Sequence, residues 1–567
     1  MVEKKKLVEE MFTKGILVSE DFLENESNNS IVDKIEMDND LIVLNSDYVK
    51  VIEQQSSLVD WYELDRLKAE AESEKNDELY QNELQQLKKT SLVLNTPTFT
   101  QEQELSNSET EMDNNNSKNI DLTPTNSLNE KEETAHLLDS NSESINNFDN
   151  QVEIVISYKN SPFKYKIQDF SNIFVSRYRF IENILRNRQE LQSTLTINRV
   201  LGKKEKERVS IIGLVEEIGQ TKTGHLMITL EDLTGKIKVL ISKNNKELFE
   251  SAKDLVFDEV IGISGTSGDK IIFANKIIWP DIPESNELKK GEEEEYAIFL
   301  SDIHIGSNVF LQEEFEKFLR WINSQVGNEK QKELAKKVKY ILIAGDLVDG
   351  IGIYPGQEEE LTIPDIVHQY EAFSKLIKQV PVDKQIIICP GNHDLVHLAE
   401  PQPVFYKEYV SCLHDIPNVT LVSNPALINI AKTETFSGFN VLMYHGYSFD
   451  YYVANVESIR NNGGYNRADL IMQFLLKKRH LAPSFKSTPY FPAHKEDPLL
   501  IKKIPDFFLT GHIHYSKVAN YKGVTMISGS CWQAKTSFQE KLGHEPEPAR
   551  VPLVNLKTRE IKILKFI

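Results

Sequence analysis

Three cysteines in 567 residues, Cys389, Cys412 and Cys531, are too few and too dispersed for a disulfide framework or a thiolate metal cluster. That scarcity fits a reducing compartment, and the expected protein is soluble and cytoplasmic. Long apolar runs are missing as well. No stretch reaches the roughly 20 residues a membrane helix needs, and Lys4-Lys5-Lys6 is not followed by the hydrophobic core of a secretory signal. Basic side chains run short in one part only. Residues 1–150 hold 34 acidic and 13 basic side chains, which accounts for the whole formal net charge of −21; the remaining 52 acidic (86 less 34) and 52 basic (65 less 13) cancel. The acidity belongs to the amino-terminal part and does not exclude a polyanionic substrate for the rest.

A chain of this length exceeds one core and divides into several domains. In residues 1–70, Leu7, Met11, Phe12, Ile16, Leu17 and Phe22 recur between charges at spacings that fit a small helical module. Residues 71–150 read as a flexible linker. Its part from 91 onward is poor in aromatics and rich in Asn and Ser, as in Asn114-Asn115-Asn116-Ser117, and cannot bury enough apolar surface to offset ordering. Glu63 to Lys89 is either one charged, solvated helix or unstructured chain. A helical connecting segment follows at 151–200. Within Asp169 to Leu191, Phe170, Ile173, Phe174, Tyr178, Phe180, Ile181, Ile184 and Leu185 are interleaved with Arg177, Arg179, Arg186 and Arg188, a stripe for packing on a neighbour or, less readily, a surface for nucleic acid.

Residues 201–285 carry five strand patterns, Val209–Val215, His225–Leu230, Ile237–Ile241, Val260–Ile263 and Ile271–Asn275, with a helical pattern from Asn245 to Leu255 between the third and fourth. The unit resembles an OB-fold, a five-stranded barrel used for single-stranded nucleic acid and for subunit contacts. It lacks a dense aromatic and basic face, so protein contact stands beside strand binding as its role.

The most informative part is 293–567. Tyr296–Leu300, Tyr340–Ala344, Ile386–Cys389, Val441–Tyr444 and Phe507–Leu509 are apolar runs suited to strands buried on both faces. Each is followed by polar residues: Asp302 and His304, Asp346 and Asp349, Asn392, His393 and Asp394, His445, and His512 and His514. Strand ends are where α/β sheets gather functional groups. Asp302, His304, Asp346, Asn392, His445, His512 and His514 make a full ligand set for two adjacent divalent ions, with Asp346 the best bridge. Two such ions can acidify a shared water and clamp the oxygens of an in-line displacement at phosphorus. Oxygen and imidazole donors without thiolate favour manganese, with iron or zinc also fitting. His368, His397, His414, His480, His494 and His544 lack a partner motif and are read as surface or locally bonded residues.

The order of these motifs resembles the calcineurin-like metallophosphoesterase superfamily. That resemblance implies one ion on Asp302, His304, Asp346 and His514, and the other on Asp346, Asn392, His445 and His512. It also implies that His393 protonates the departing oxygen, with Asp349 orienting its imidazole and Asp394 a second choice for that task. A barrel followed by a complete phosphoesterase, with the run Ser528-Gly529-Ser530-Cys531-Trp532-Gln533, is similar over residues 151–567 to the small subunits of archaeal family D DNA polymerase, also called DNA polymerase II. The resulting expectation is a multidomain α/β protein: an OB-fold barrel, then a two-sheet α/β phosphoesterase, with the helical amino-terminal module on its linker. The resemblance further implies a metal-dependent 3′-to-5′ exonuclease that proofreads single-stranded 3′ ends for a separate large catalytic subunit. A free-standing phosphoesterase and a non-catalytic polymerase scaffold are the alternatives.

Overall fold

The computed structural model describes residues 17–18, 43–44, 152–159, 164–203, 206–492 and 496–567. Before residue 150 it describes one short parallel pairing, Leu17–Val18 with Val43–Leu44. The helical module expected at 1–70, the linker expected at 71–150 and His494 otherwise lie outside the described residues. The part from Ser140 to Ile567 is one compact unit.

It begins with the edge strand β1 (Val152–Ile156) and the helix Ile167–Arg186. A closed barrel follows, made of β2 (Arg208–Gln220), β3 (Leu226–Asp232), β4 (Gly235–Ile241), β5 (Val260–Ser267) and β6 (Ile271–Ile278). Its strand order is β2-β3-β4-β6-β5. Side chains of a strand alternate faces, so Ile237, Val239 and Ile241 fill the barrel while Lys236 and Lys238 stay outside. The helix Lys246–Ala252 falls between the third and fourth strands, capped by the Asn245 side chain, which accepts from the Leu248 amide. The helix Ile167–Arg186 lays Ile181 and Leu185 on Ile212 and Val260 of the barrel. Its Arg177 is buried against Asp497 at 2.8 Å. Of the two readings for this helix, packing is the one realised.

The rest of the unit has two six-stranded sheets. One contains β7 (Tyr296–Leu300), β8 (Val338–Ala344), β9 (Gln385–Cys389) and β10 (Val419–Leu421). The other contains β11 (Ala426–Ile430), β12 (Phe439–Met443), β13 (Phe507–Thr510), β14 (Lys517–Tyr521) and β15 (Val524–Ser528). The final strands, β16 (Arg550–Asn555) and β17 (Ile561–Lys565), return to the first. The orders are β10-β9-β8-β7-β16-β17 and β14-β15-β13-β12-β11-β1.

Phe299 and Leu342 of the first sheet meet Val441, Phe507 and Ile527 of the second in a shared core. Their chain neighbours point the other way. Ile298 and Ile341 lie under the helices Gln312–Ile322 and Ile366–Ile377, and Leu442 and Phe508 under Phe449–Asn455 and Ala468–Lys478. Both faces of each sheet are covered, which explains why the strands read as unbroken apolar runs. Each fully buried large side chain contributes roughly 1.5–3 kcal/mol. Because β7, β8 and β9 are parallel to one another, as are β12 and β13, their carboxyl ends deliver the polar motifs to common rims.

Candidate metal centre

The two rims meet. His304 Nε2 and His514 Nε2 lie 3.0 Å apart although they come from different sheets. Asp302 Oδ1 is 3.4 Å from His514 Nε2. Asp346 Oδ2 is 3.9 Å from His304 Nε2 and 3.3 Å from His445 Nε2, between the two donor groups. On the far side, Asn392 Oδ1 lies 2.9 Å from His445 Nε2 and 3.0 Å from His512 Nδ1. The donor atoms of Asp302, His304 and His514 fall within 4.8 Å of one another, as do those of Asp302, Asp346 and His445, and those of His304, Asp346 and His393.

The tautomers decide whether these donors suit a cation. His304 Nδ1 donates to Asp349 Oδ1 at 3.1 Å, His445 Nδ1 to the Ala344 carbonyl at 2.8 Å, and His512 Nε2 to Asp450 Oδ2 at 2.9 Å. In each ring the outward nitrogen carries a fixed proton, so the inward nitrogen is the one left to bind a cation, in place of any further proton it takes up. Metal-binding imidazoles are held in this manner. The residues present therefore fit two divalent ions, and the donor chemistry admits manganese, iron or zinc.

The backbone is held in an unfavourable form to achieve this. Asp302, His304, Asp346, His512 and His514 all have left-handed φ, between 52° and 74°. Such a conformation costs a non-glycine residue about 1–3 kcal/mol and persists where surrounding structure enforces it. Here the enforcement is visible in hydrogen bonds from Asp302 N to Gly345 O and from Ile303 N to Asp346 O, at 3.0 and 2.7 Å. Gly391 leaves room for the bridge, since a Cβ there would run into Asp346 Oδ1.

Charge follows the same layout. Burial alone would raise Asp346, but His445, His393 and His304 outweigh it and hold the carboxylate well below its ordinary range. Burial is likewise overcome at His445, which Asp346 and Asp302 raise to about 9. Asp394 goes the other way: burial and the neighbouring Asp346 raise it to about 7.

Two expectations about orientation need correction. The Asp349 carboxylate does not orient His393; it is occupied by His304, Gln533 and Gln357. His393 Nδ1 instead donates to the Asp349 backbone carbonyl at 2.6 Å. The Asp394 carboxylate does not perform that task either. It accepts from the amides of Asp346 and Gly391, both at 2.8 Å, and from the Tyr370 hydroxyl at 2.9 Å, so it fixes two ligand loops. The physical reason is depth: Asp394 is buried beneath the loops, while His393 is half-buried above them.

Five supporting residues were not foreseen. Asp450 holds His512, Gln357 and Gln533 hold Asp349, Gln539 Nε2 meets His514 Nδ1 at 2.8 Å, and the Asn424 side chain accepts from the His445 amide. Gln533 alone lay in a run already singled out, Ser528–Gln533. Histidines outside the motifs are local: His480 is buried on Asp497, His397 bonds the Ala399 carbonyl, His414 faces the Phe405 carbonyl, His368 is exposed beside Asp365, and His544 rests on Tyr465.

The protein-family model for calcineurin-like phosphoesterases matches residues 297–516, the span from β7 to just past His514. The DNA polymerase II small subunit of Methanothermobacter thermautotrophicus is 40% identical over 402 residues, covering 71% of this chain and 80% of that one. The chain belongs to the DNA polymerase II small-subunit family. The small subunit of Archaeoglobus fulgidus is 39% identical, covering 68% of this chain and 74% of its own. For Pyrococcus furiosus the figures are 39%, 70% and 64%. Likeness to solved structures is slight: asparaginyl-tRNA synthetase from Pyrococcus horikoshii aligns with a TM-score of 0.14 at 19% identity, over 15% of this chain and 22% of that one. As a small subunit of this family, the chain combines a calcineurin-like phosphoesterase domain with a closed five-stranded barrel.

Proposed function

We propose that this small subunit is a divalent-metal 3′-to-5′ exonuclease. It removes nucleotides from single-stranded 3′ ends and serves a separate large subunit that synthesises DNA. The observation that carries the reading is the convergence of seven donors from two sheets, with the outward nitrogens of His304, His445 and His512 pinned. The relatives' shared name supplies the polymerase setting. The barrel order β2-β3-β4-β6-β5, with its helix after the third strand, supports the OB-fold reading for residues 201–285.

Bound divalent ions would supply Lewis acidity at the attacking water and at the phosphoryl oxygens. Asp302, His304 and His514 would hold one, Asn392, His445 and His512 the other, with Asp346 shared. The chain's own part in the chemistry falls to His393. Its Nδ1–H is committed to the Asp349 carbonyl, so the ring acts as an imidazolium: the Nε2 proton passes to the departing 3′ oxygen as the P–O bond breaks and the ring returns to its neutral Nδ1–H form, a release favoured by burial, which lowers its pKa. Its backbone amide donates to Asp346 Oδ1 at 2.8 Å, which ties the proton donor to the bridge.

The test uses the full chain with manganese and a single strand labelled at either end. Mononucleotides should be released from the 3′ end. His393→Ala should slow release by about 10²–10⁴, the range for a general acid, and Asn392→Ala should lose it through weakened metal binding. Undiminished digestion in both variants removes the mechanism. Co-purification with a large polymerising subunit is expected, and a solitary active monomer would favour a free-standing phosphoesterase.

A further inference from the structure

One wall beside the donors is built of rings. Tyr447 lies with its ring centroid 5.6 Å from that of His512, inclined by 47°. Asp450 accepts from His512 Nε2 and also from the Tyr465 hydroxyl, which anchors the second ring. Tyr465 in turn meets His544 at 4.4 Å and 48°. Tyr447, Tyr465 and His544 are each only half-buried. None of the three is needed to hold a cation or to donate the proton in the scheme above.

The geometry points to these three rings as the stacking surface for the base of the nucleotide whose phosphate is cut, an inference that rests on the nuclease reading. A base lies one sugar away from its phosphate, and Tyr447 lies one ring away from a phosphate-facing donor. The Asp450 carboxylate is engaged by both donors, the His512 ring and the Tyr465 hydroxyl, so it holds the two rings in place and the ring faces are what the wall offers a base. Stacking uses the π-face that every base has, and it is therefore tolerant of sequence. A paired terminal base is already stacked within its duplex and must leave it to reach this wall. The rings thus select an unpaired or mispaired end over a matched one.

The experiment compares two single strands that differ at the 3′-terminal residue, one with a base and one abasic, cut by the full chain in manganese. Their affinity is also read without cutting, as Kd in EDTA. The wild type should prefer the base-bearing end about tenfold in both readouts. Tyr447→Ala and Tyr465→Ala should bring the preference close to one, through KM more than kcat, and Tyr447→Phe, which keeps the ring, should retain it. Equal use of both ends by an active wild type overturns the inference alone, as does a preference that survives both alanine variants. A wild type that cleaves neither strand overturns the nuclease reading and this inference with it.

Discussion

His480 and His445 are both buried imidazoles, and their surroundings push them in opposite directions. At His445 two aspartates outweigh burial and raise it to about 9. At His480 burial and Arg177 outweigh Asp497 and hold it at about 4. The hydrogen bonds agree: the Ala482 amide donates to Nδ1 at 2.9 Å and Nε2 donates to Asp497, which leaves no site for a second proton. In the unfolded chain the same ring titrates near its ordinary value, about 6.5. Between there and about 4 the unfolded state binds a proton that the folded state refuses, so this group's stabilisation is full above that window and falls as pH drops through it. Asp497, held below the usual carboxylate range by His480 and Arg177 against its burial, gives a loss of the same sign at still lower pH. Melting temperature should therefore fall from pH 7.5 to pH 5, and His480→Gln should flatten the fall; an equal pH dependence in that variant contradicts the assignment. Asp349 supports a second prediction. Its carboxylate positions His304 rather than His393, so Asp349→Asn should raise the manganese concentration needed for half-maximal activity by about 10–100-fold, with a smaller effect on the saturated rate. A lowered saturated rate at unchanged metal demand would return Asp349 to the role first expected. Its importance was legible three residues after Asp346, but the choice between its carbonyl and its carboxylate depends on Gln533, 184 residues away, and no local pattern encodes that.

At the scale of elements, five strands end in loops that carry the ligands, and in three of those loops, at Asp302 and His304, Asp346, and His512 and His514, the ligands sit in left-handed backbone. The strands were readable because covered sheets demand unbroken apolar runs, and the observed Tyr296–Leu300, Val338–Ala344, Gln385–Cys389, Phe439–Met443 and Phe507–Thr510 fall on those runs within two residues. The five barrel strands were readable as short β-branched and apolar runs, and in β4 the buried positions alternate with exposed ones. The ligand loops were readable as motifs, whereas their supports were not: Asp450 is 62 residues from His512 and lies on a helix whose apolar stripe says only that it packs. The glycines beside the ligands carry a testable consequence. Gly345 has φ +82°, and a Cβ there would lie 2.6 Å from Gly391 N and 2.7 Å from His445 Nδ1, while one at Gly391 would strike the Asp346 carboxylate. Gly391 needs no left-handed φ, so Gly391→Ala tests the close approach alone. The variant should fold with unchanged far-ultraviolet circular dichroism and lose activity by two orders of magnitude or more, as expected when reacting groups are displaced by about 1 Å. Retained activity would mean that the Asp346 loop can yield without harm.

At the scale of the whole molecule, the barrel is fastened to the phosphoesterase sheets by charges withdrawn from water. Arg177, on the helix that packs on the barrel, donates to Asp497 at 2.8 Å, to the Pro483 carbonyl at 2.6 Å and to the Asp258 carbonyl at 3.2 Å. Lys478 reaches across to Glu259 at 2.7 Å and to the Asp254 carbonyl at 2.9 Å, and Trp279 Nε1 donates to the same glutamate at 3.1 Å. Lys477 lies over the Trp279 ring at 3.8 Å. Such pairs add little over well-packed apolar residues, because desolvation consumes most of the attraction, but removing one partner strands the other. Apolar burial supplies the strength of this joint and the ion pairs fix its register. Arg177→Met should consequently destabilise the unit by about 3–5 kcal/mol in urea unfolding, since Asp497 keeps only neutral donors. The double change Arg177→Met with Asp497→Leu should recover most of that loss, because no buried charge then remains unpaired. If the single substitution costs under about 1 kcal/mol, water must reach Asp497 and the joint is not sealed. If the double variant is no better than the single one, Asp497 matters through Tyr490 and the Leu499 amide, which it also binds, and the register between barrel and sheets is set by that loop instead of by the arginine.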